Sequence, residues 1–580
     1  MGKYIISLFF VFNLFSALKA QQPLFVAVTQ QKTDTLKAIR NLSVFHHELK
    51  NIQKQKLSQG FWGWSVDTIM LQDSVYTAYI FEGKQFKWDK INLKVNEGLA
   101  LKAGLNLNVL QNKNANLSDI LAALDKIIVY HEQNGYPFAQ IKFKQIAESN
   151  NGLVLDLDLQ SGQLIKLDTL VIHGDVKVNK KYIQQLIGIQ PNSIFNQQVV
   201  NQINKRILAC PFLQQSQAAQ IVFLNNKAQI HLYLEEKKAN FFNGVIGILP
   251  NTNIDPRLST GSNLIITGEL ELKVFNSFKL GEKIDVNWRR LQPQTQELNV
   301  QTDFNYIAGT PFGLKENFAL FKQDTSFVNV DNKLAINYFV NTRQSFNVFW
   351  EINSSNVLNN KTLINNASSF SSNSYGLEFV WEDLDYFFNP RKGFNFKTFA
   401  SVGNKEIKGK ADENGKINFE IPNSNINVSI PKTSVLYKMG FNFNYFIPIF
   451  KLSTIRTNLS GAWILNDYLL DNEIYRVGGF KSLRGFDERS IFASRYVIYG
   501  LEYRLLLERN SYINLFWDGA WVERKTLVQN TYDLPMAFGA GINFETKAGI
   551  FSMAYALGKE QNNPFQFRSA KIHFGFVSLF

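Results

Sequence analysis

The residue types that usually carry enzyme chemistry are sparse in this chain of 580 residues. It has one cysteine, Cys210, and six histidines, and no histidine follows the HExxH spacing of a zinc site. A single cysteine can form neither a disulfide framework nor a cysteine-based metal site. The sequence also contains no GxSxG nucleophile motif and no Walker loop. We therefore predict that the protein is not an enzyme and uses neither a metal nor a cofactor.

One glycine-rich stretch differs from everything around it. Residues 475–490 read YRVGGFKSLRGFDERS, with three glycines and with Arg484 near the centre. The stretch has neither helical nor strand periodicity, yet it lies among segments that alternate apolar and polar residues. It is either an exposed loop whose arginine has no partner or a loop that brings Arg484 to one. The elements around it must distinguish these two interpretations.

The composition excludes several classes of protein. Hydrophobic residues make up 45% of the chain, which is too many for a disordered protein. Aromatic residues make up 14%, and 50 phenylalanines are unusual for a soluble enzyme. The net charge of +13 suits nucleic acid, anionic lipid or an acidic partner. No run of lysine and arginine is dense enough for a nucleic-acid patch, so we predict no nucleic-acid partner.

The first twenty residues have the pattern of a signal peptide. Lys3 supplies the positive start, residues 5–18 are almost wholly apolar, and Ala20 precedes polar glutamines as at a cleavage site. The apolar run is short for a transmembrane anchor, and no later segment has ~18 consecutive apolar residues. We expect an exported chain that is either soluble outside the cytoplasm or a membrane β-barrel.

Three segments of the N-terminal part repeat at a fixed spacing. Their anchor residues are Gly60, Gly135 and Cys210, and each follows a segment with helical periodicity. Each anchor also precedes two strand-like segments joined by a polar turn. A constant period indicates one supersecondary unit used several times, here a small α+β domain. Such domains serve either as binding units or as spacers.

From about Ala239 onwards the pattern changes to long segments of period 2. In one of them Leu298 and Val300 alternate with Glu297 and Asn299, so apolar and polar side chains face opposite sides of a strand. The polar sides are charged and the apolar sides carry aromatics near their ends. This pattern favours an outer-membrane barrel with a wet interior over a large soluble β protein. The length allows about sixteen strands of ~10 residues with turns.

The stretch GGFKSLRGF resembles the signature loop of the BamA/TamA family of outer-membrane assembly proteins, the bacterial surface antigen type. The resemblance implies POTRA domains followed by a sixteen-stranded barrel, in which the loop after the eleventh strand folds into the lumen. The Arg-Gly-aromatic motif of that loop would be Arg484, Gly485 and Phe486, preceded by Gly478 and Gly479. Three POTRA-like units and the length of the chain resemble TamA most.

The family pattern places a partner of this loop on a later strand, here within LFWDGAW. Phe516 and Asp518 share one parity of that strand, and the opposite, apolar parity would face lipid. Asp518 would then point into the lumen, and Glu502 lies on the polar parity of the preceding strand. We predict that Arg484 forms a bidentate pair with Asp518, with Glu502 nearby. Gly485 would allow a close approach to the wall or a positive φ.

The predicted fold is an all-β C-terminal transmembrane barrel of about sixteen antiparallel strands, preceded by three small α+β POTRA-like domains. We expect the barrel in the bacterial cell outer membrane and the POTRA-like domains in the periplasm. The predicted segments are a signal peptide at 1–20, a short first POTRA-like unit at 21–85, a second at 86–163, a third at 164–238 and the barrel at 239–580.

The resemblance implies that the protein folds and inserts other β-barrel proteins through a seam between its first and last strands. Glycine weakens a strand, and the predicted seam strands contain Gly244, Gly247 and Gly575 and end at Phe580. Exposed edges of the POTRA sheets would receive extended clients. The implied partners are outer-membrane lipids, unfolded β-barrel clients and periplasmic accessory proteins of the TamB-like or Bam type.

Two alternatives stay open at this point. A two-partner-secretion transporter shares the barrel and the loop and exports one dedicated substrate, but that class usually has two POTRA units and a plug helix. A passive porin-like channel belongs to a different functional class and would not need the N-terminal repeats.

Overall fold

The predicted signal peptide at 1–20 and the terminal Phe580 lie outside the residues that the structure describes. The described chain forms two compact units. The first unit runs to Leu167 and also takes in 193–198 and 225–228, and the second comprises the remaining chain. The computed structural model describes residues 24–29, 32–36, 42–72, 75–93, 102–104, 106–250, 264–292, 295–358, 367–386, 389–420, 427–546, 549–560, 565 and 567–579.

The first module is a four-stranded sheet covered by a helix. Its elements are β1 (Leu24–Thr29), β2 (Lys32–Leu36), α1 (Leu42–Ser58), β3 (Ser65–Gln72) and β4 (Val75–Phe81). The strands lie in the order β2-β1-β4-β3, with β1 parallel to β4. On α1, Phe45 and Leu49 are four residues apart and therefore share one face. They are buried with Trp64, Ala78 and Ile80, which form the core of the module.

The second module has a three-stranded sheet. Its elements are β5 (Trp88–Leu93), a 3₁₀ turn (Leu107–Leu110), α2 (Leu117–Gln133), β6 (Gln140–Ser149) and β7 (Gly152–Gln160). The strands lie in the order β5-β7-β6, with β5 parallel to β7. Helix α2 begins after Asn116, whose side chain accepts a hydrogen bond from the Ser118 backbone N–H at 2.9 Å. Its face of Ile120 and Leu124 is buried in one cluster with Leu155 of β7.

A third module repeats this build. Its elements are β8 (Lys166–His173), α3 (Lys180–Ile187), α4 (Gln197–Ala209), β9 (Leu213–Leu224) and β10 (Lys227–Glu236), with the strands in the order β8-β10-β9. The repeat anchors Gly60, Gly135 and Cys210 each lie one or two residues after a helix end, namely after α1, α2 and α4. The three N-terminal modules therefore have the predicted α+β build.

The rest of the chain forms a closed antiparallel barrel. The strands of this part of the chain are β11 (Phe241–Pro250), β12 (Leu264–Phe275), β13 (Lys283–Gln292), β14 (Thr295–Phe304), β15 (Phe312–Gln323), β16 (Phe327–Asn341), β17 (Gln344–Val357), β18 (Phe370–Leu384), β19 (Gly393–Ile407), β20 (Lys416–Glu420), β21 (Asn427–Pro431), β22 (Thr433–Phe450), β23 (Ser453–Leu465), β24 (Tyr475–Val477), β25 (Ile491–Ala493), β26 (Arg495–Leu506), β27 (Tyr512–Lys525), β28 (Asn530–Asp533), β29 (Met536–Thr546), β30 (Gly549–Lys559) and β31 (Lys571–Leu579).

Sixteen wall strands can be followed through the described residues. Two pairs of short strands, β20 with β21 and β24 with β25, pair only with each other and lie outside the wall. Strands β28 and β29 both pair with β27, so they act as one wall strand that is interrupted at Leu534 and Pro535. The predicted barrel of about sixteen antiparallel strands is thereby confirmed.

Side chains alternate between the two faces of the wall. On β27, Leu515 and Trp517 are 61% and 45% exposed, whereas Phe516 and Asp518 are only 5% and 4% exposed. An apolar outer face and a polar inner face are the arrangement that a membrane barrel with a wet interior requires. No helix within the described ranges has the length and apolar character needed to cross a membrane.

Replacing Leu155 by alanine tests the core of the second module. Leu155 is 0% exposed, so the substitution should lower the free energy of unfolding of this module by about 2–5 kcal/mol. Urea denaturation of the full chain, followed by hydrogen exchange of the β6 and β7 amides, measures the loss. The control is Val154→Ala on the opposite, partly exposed face of the same strand. Equal losses for the two variants would contradict the assigned core.

Candidate functional site

The glycine-rich stretch lies inside the barrel. It is part of residues 466–494, here called the lumenal loop, which connect β23 and β26, the eleventh and twelfth wall strands. Leu483 and Phe486 of this loop are buried in one cluster with Ala520 of β27 and Ala537 of β29. The loop therefore folds back against the inner face of the wall.

Arg484 meets two carboxylates of the wall. Its Nε and Nη2 donate hydrogen bonds to the two carboxylate oxygens of Asp518 at 2.6 and 2.7 Å. Its Nη1 donates to Glu502 at 2.7 Å, and its Cζ lies 3.6 Å from the ring centroid of Phe516. The structure thus brings four of the predicted site residues together. The geometry combines a bidentate charge pair with a cation–π contact.

The pairing takes place away from bulk solvent. The Arg484 side chain is 12% exposed, and those of Asp518 and Glu502 are 6% and 4% exposed. A charge with so little access to water must be paired to be tolerated. Arg484 therefore supplies positive charge to two inward-facing carboxylates of the wall.

Glu502 also binds an arginine that the sequence analysis did not single out. Its second oxygen accepts a hydrogen bond from Arg504 Nε at 2.6 Å, and Arg504 Nη1 donates to Asn389 Oδ1 at 3.0 Å. Asn389 Nδ2 then donates to the backbone carbonyl of Arg509 at 3.0 Å. The lumenal loop is thereby connected to the turn between β18 and β19.

The sequence contains local signals for the two residues that extend the site, Arg504 and Asn389. Arg504 follows Glu502 by two residues and so shares its face of the strand. Asn389 opens the turn sequence NPRKG, and Asn-Pro is a common turn dipeptide. Neither signal predicts the contact between Arg504 and Asn389, because the two residues are far apart along the chain.

The glycines of the lumenal loop adopt conformations that disfavour a side chain. Gly478, Gly479 and Gly485 have φ values of 119°, 98° and 89°. A Cβ on Gly485 would also lie 2.8 Å from Ala537 Cβ and 3.0 Å from the backbone nitrogen of Gly558. Close approach and positive φ therefore both occur at Gly485, beside the arginine that the loop presents.

Gly519, which directly follows Asp518, has a different environment. It lies opposite Tyr499 of β26, and a Cβ there would be 2.5 Å from the Tyr499 ring. The Tyr499 ring in turn packs beside Trp517, with centroids 5.2 Å apart. The missing side chain leaves space for an aromatic ring on the outer face and is not part of the lumenal site.

The first and last wall strands meet over a short length. Within the described residues, β11 and β31 pair only through Phe241 with Leu579 and Phe242 with Ser578. By contrast, the ladder between β11 and β12 pairs all ten residues of β11. The seam is therefore the shortest ladder between successive wall strands that the structure describes.

The predicted seam glycines lie in different surroundings. Gly244 and Gly247 lie in β11, and a Cβ on Gly244 would be 3.0 Å from the Phe242 ring. Gly575 lies in β31, where a Cβ would be 3.7 Å from the ring of Phe480 in the lumenal loop. Gly575 is therefore the seam glycine that the structure brings next to the loop.

A lumenal cavity of about 720 Å³ adjoins the Arg484 site. Arg456, Arg504 and Glu502 contribute to its lining together with Arg484 and Asp518. Among the described residues no group of three or more His, Cys, Asp and Glu side chains could hold a metal ion. The arrangement can hold a loop in a fixed place by charge pairing.

Replacing Arg484 by alanine leaves the buried Asp518 without its bidentate partner, while Glu502 keeps Arg504. The free energy of unfolding of the barrel should fall by about 3–5 kcal/mol, the usual cost of breaking a buried ion pair. Arg484→Lys keeps the charge but loses the fork geometry and should give an intermediate loss. The measurement is the temperature at which the folded barrel loses its compact mobility on a gel.

A matched control for Arg484 is Arg495→Ala. Arg495 pairs with Glu523 at 3.1 Å, but its side chain is 32% exposed. Its removal should cost only about 0–1 kcal/mol. If the Arg484 and Arg495 variants unfolded at the same temperature, the buried pair would not be the anchor of the loop.

Two solved structures share the fold, and a third aligns more weakly. CdiB from Escherichia coli aligns with a TM-score of 0.55 and 13% identity over 93% of this chain and 98% of that chain. CdiB from Acinetobacter baumannii aligns with a TM-score of 0.51 and 15% identity over 92% of this chain and 97% of that chain. BamA from Haemophilus ducreyi lacking POTRA domains 1-3 aligns with a TM-score of 0.44 and 15% identity over 86% and 100% of the respective chains.

The family is shown by a sequence match rather than by these structures. No curated protein matches the chain. The Omp85 superfamily domain, however, matches residues 276–576, which is more than half of the chain. The predicted relationship to BamA and TamA is confirmed at the level of this superfamily. With its barrel, its lumenal loop and this match, the chain belongs to the Omp85 superfamily.

Proposed function

We propose that the protein folds and inserts β-barrel proteins into the bacterial outer membrane, through the seam between its first and last wall strands. The observation that carries this proposal is the two-pair ladder between β11 and β31. Continued in the same antiparallel register, that ladder would place the rest of β31 opposite β11. Pairing along that length is absent among the residues that the structure describes.

The physical reason lies in the membrane. Backbone N–H and C=O groups that face hydrocarbon without a partner cost several kcal/mol each. The unpaired stretches of β11 and β31 are therefore a template for an extended client strand, which would satisfy these groups. Opening the remaining ladder requires the loss of only a few backbone hydrogen bonds, each about 0.5–1.5 kcal/mol net.

The third module offers an edge strand suited to receive a client. Strand β9 lies at the edge of its sheet, and its sequence LQQSQAAQIVFL contains no charged residue. The corresponding edge strand of the second module, β6, carries Lys142 and Lys144. Charged side chains, lysine above all, discourage an edge strand from pairing with another chain. In our proposal β9 is therefore the edge that binds extended clients.

The proposal assigns a place and partners to each part of the chain. Members of the Omp85 superfamily are bacterial outer-membrane proteins, and we place the modules in the periplasm, where unfolded clients arrive. The partners are outer-membrane lipids, unfolded β-barrel clients and a periplasmic accessory protein of the TamB-like or Bam type. Three modules and the chain length support a TamA-like arrangement. In this proposal, insertion of a client consists of a rearrangement of hydrogen bonds and needs no cofactor.

A disulfide across the seam tests the function directly. The positions Phe242 and Ser578 are register partners, so a Phe242→Cys, Ser578→Cys variant can join the two strands. Oxidation should abolish assembly of a model β-barrel client in liposomes while the barrel stays folded, and reduction should restore it. The native Cys210 does not interfere, because it is buried and burial raises the pKa of its thiol to about 12.

The matched control is a disulfide within the wall. Leu272 of β12 and Val286 of β13 are register partners too, and a Leu272→Cys, Val286→Cys disulfide should leave assembly unchanged. Full assembly activity with the seam locked would refute the seam mechanism. Export of one dedicated substrate without client insertion would support the two-partner-secretion alternative, and solute flux alone would support a porin-like channel.

The assignment of β9 can be tested by adding charge to its edge. Ser216 and Ala218 are exposed residues of β9, and lysine at both positions should weaken client capture and slow assembly several-fold. The measurement is the rate of client assembly in liposomes, together with crosslinking of the client to the third module. Asn204→Lys with Leu208→Lys on α4 adds the same charge at exposed helical positions and should have no effect. Equal slowing by both pairs would exclude a specific role of β9.

A further inference from the structure

The lumenal loop contacts the last wall strand on one side of the seam. Asp487 forms an ion pair with Lys571 of β31 at 2.8 Å. The backbone N–H of Gly485 donates a hydrogen bond to Nε2 of His573 at 3.2 Å. The ring of Phe480 stacks on the His573 ring, with centroids 5.7 Å apart. The loop therefore holds β31 from inside the lumen through a charge, a hydrogen bond and a ring contact.

The same loop contacts three strands on the other side of the seam. Lys481 lies 3.7 Å from Glu271 of β12. Glu488 lies 3.7 Å from Arg289 of β13. A third ion pair joins Arg489 to Glu297 of β14. The closed order of the wall runs β30-β31-β11-β12-β13-β14, so β11 and the seam lie between the two sets of contacts.

We call these two sets of contacts together the cross-seam contacts. They differ in strength from the Arg484 pair. Asp487 and Lys571 are 69% and 38% exposed. Ion pairs with that much access to water are weak and are screened by salt. The buried pair of Arg484 with Asp518 has neither property. The loop thus has a firm attachment to β27 and weaker attachments on both sides of the seam.

We propose that the cross-seam contacts join β31 to β12–β14 through the lumenal loop and thereby hold the seam closed until they are released. Lys571, His573 and Asp487 are positioning residues in this inference, because they act on β31 and not on a client. The inference rests on the proposed function in one respect, namely that an open seam is the state that admits a client. These contacts must break before the seam can widen.

The test measures the width of the seam without any client. In the full chain with Cys210→Ala, nitroxide labels are placed at Leu270→Cys on β12 and Met553→Cys on β30. Both native side chains are exposed on the outer face, at 37% and 46%, and the two strands flank the seam strands. Double electron–electron resonance in lipid nanodiscs then gives the distribution of distances between the labels.

Charge reversal at the last strand should open the seam. Lys571→Glu should raise the population of longer distances about fivefold, the change that corresponds to an exposed ion pair at the upper end of its usual range. The exchange Lys571→Glu with Asp487→Lys should return the distribution to that of the native pair. High salt should shift the native protein in the direction of Lys571→Glu and should affect that variant less.

A further variant tests whether the loop joins the two sides. Arg489→Glu breaks the contact with β14 and should also lengthen the distances. Added to Lys571→Glu it should have less than an additive effect, because both substitutions weaken the same connection between the strands. The control is Lys432→Glu, which breaks another exposed pair, with Glu406 and away from the seam, whose side chains are 39% and 50% exposed. It should leave the distances unchanged.

The outcomes separate this inference from the proposed function. An unchanged distribution in Lys571→Glu, or a charge exchange that fails to restore it in a barrel of normal gel mobility, would overturn the inference. Neither result depends on whether the protein inserts clients. Conversely, a protein that inserts no client in liposomes but widens its seam as described would contradict the proposed function alone.

Discussion

The hydrocarbon of a membrane offers no hydrogen bonds, so every backbone group of a spanning strand must find its partner within the protein. This constraint explains why the C-terminal part closes into a barrel, and it makes the seam between β11 and β31 exceptional. Along most of the wall the ladders are long, whereas at the seam only two residue pairs are described. The other features of the barrel can be understood as ways to tolerate this short ladder.

The buried charges in the lumen are such a feature. Arg484, Asp518 and Glu502 are a costly set, because each would be better solvated in water. A pair of this kind contributes little net stability compared with apolar packing, but its bidentate geometry permits only one position of the loop. Fixing that position brings Phe480, Gly485 and the charged end of the loop next to β31. Burying these charges costs desolvation free energy, and in return the loop has one defined position.

Much of the fold could be predicted from the sequence because it follows from local patterns. Period-2 alternation gave the barrel, and the constant spacing of Gly60, Gly135 and Cys210 gave three modules. The partners of Arg484 required the family resemblance, since no local pattern pairs a loop with strands far along the chain. The contacts with Asn389 and Lys571 were missed for the same reason. They join residues whose closeness depends on the closure of the whole barrel.

The distribution of strong and weak interactions is what a seam that opens would require. If the loop were held only by exposed ion pairs, opening the seam would also release the loop and lose its position. If every contact were buried like the Arg484 pair, each opening would cost several kcal/mol and would be rare. The structure has buried attachments of the loop to the wall, among them the Arg484 pairs with β26 and β27, and partly exposed attachments next to the seam. Widening can therefore break the weak contacts while Arg484 keeps the loop in place, and the contacts can form again when the seam closes.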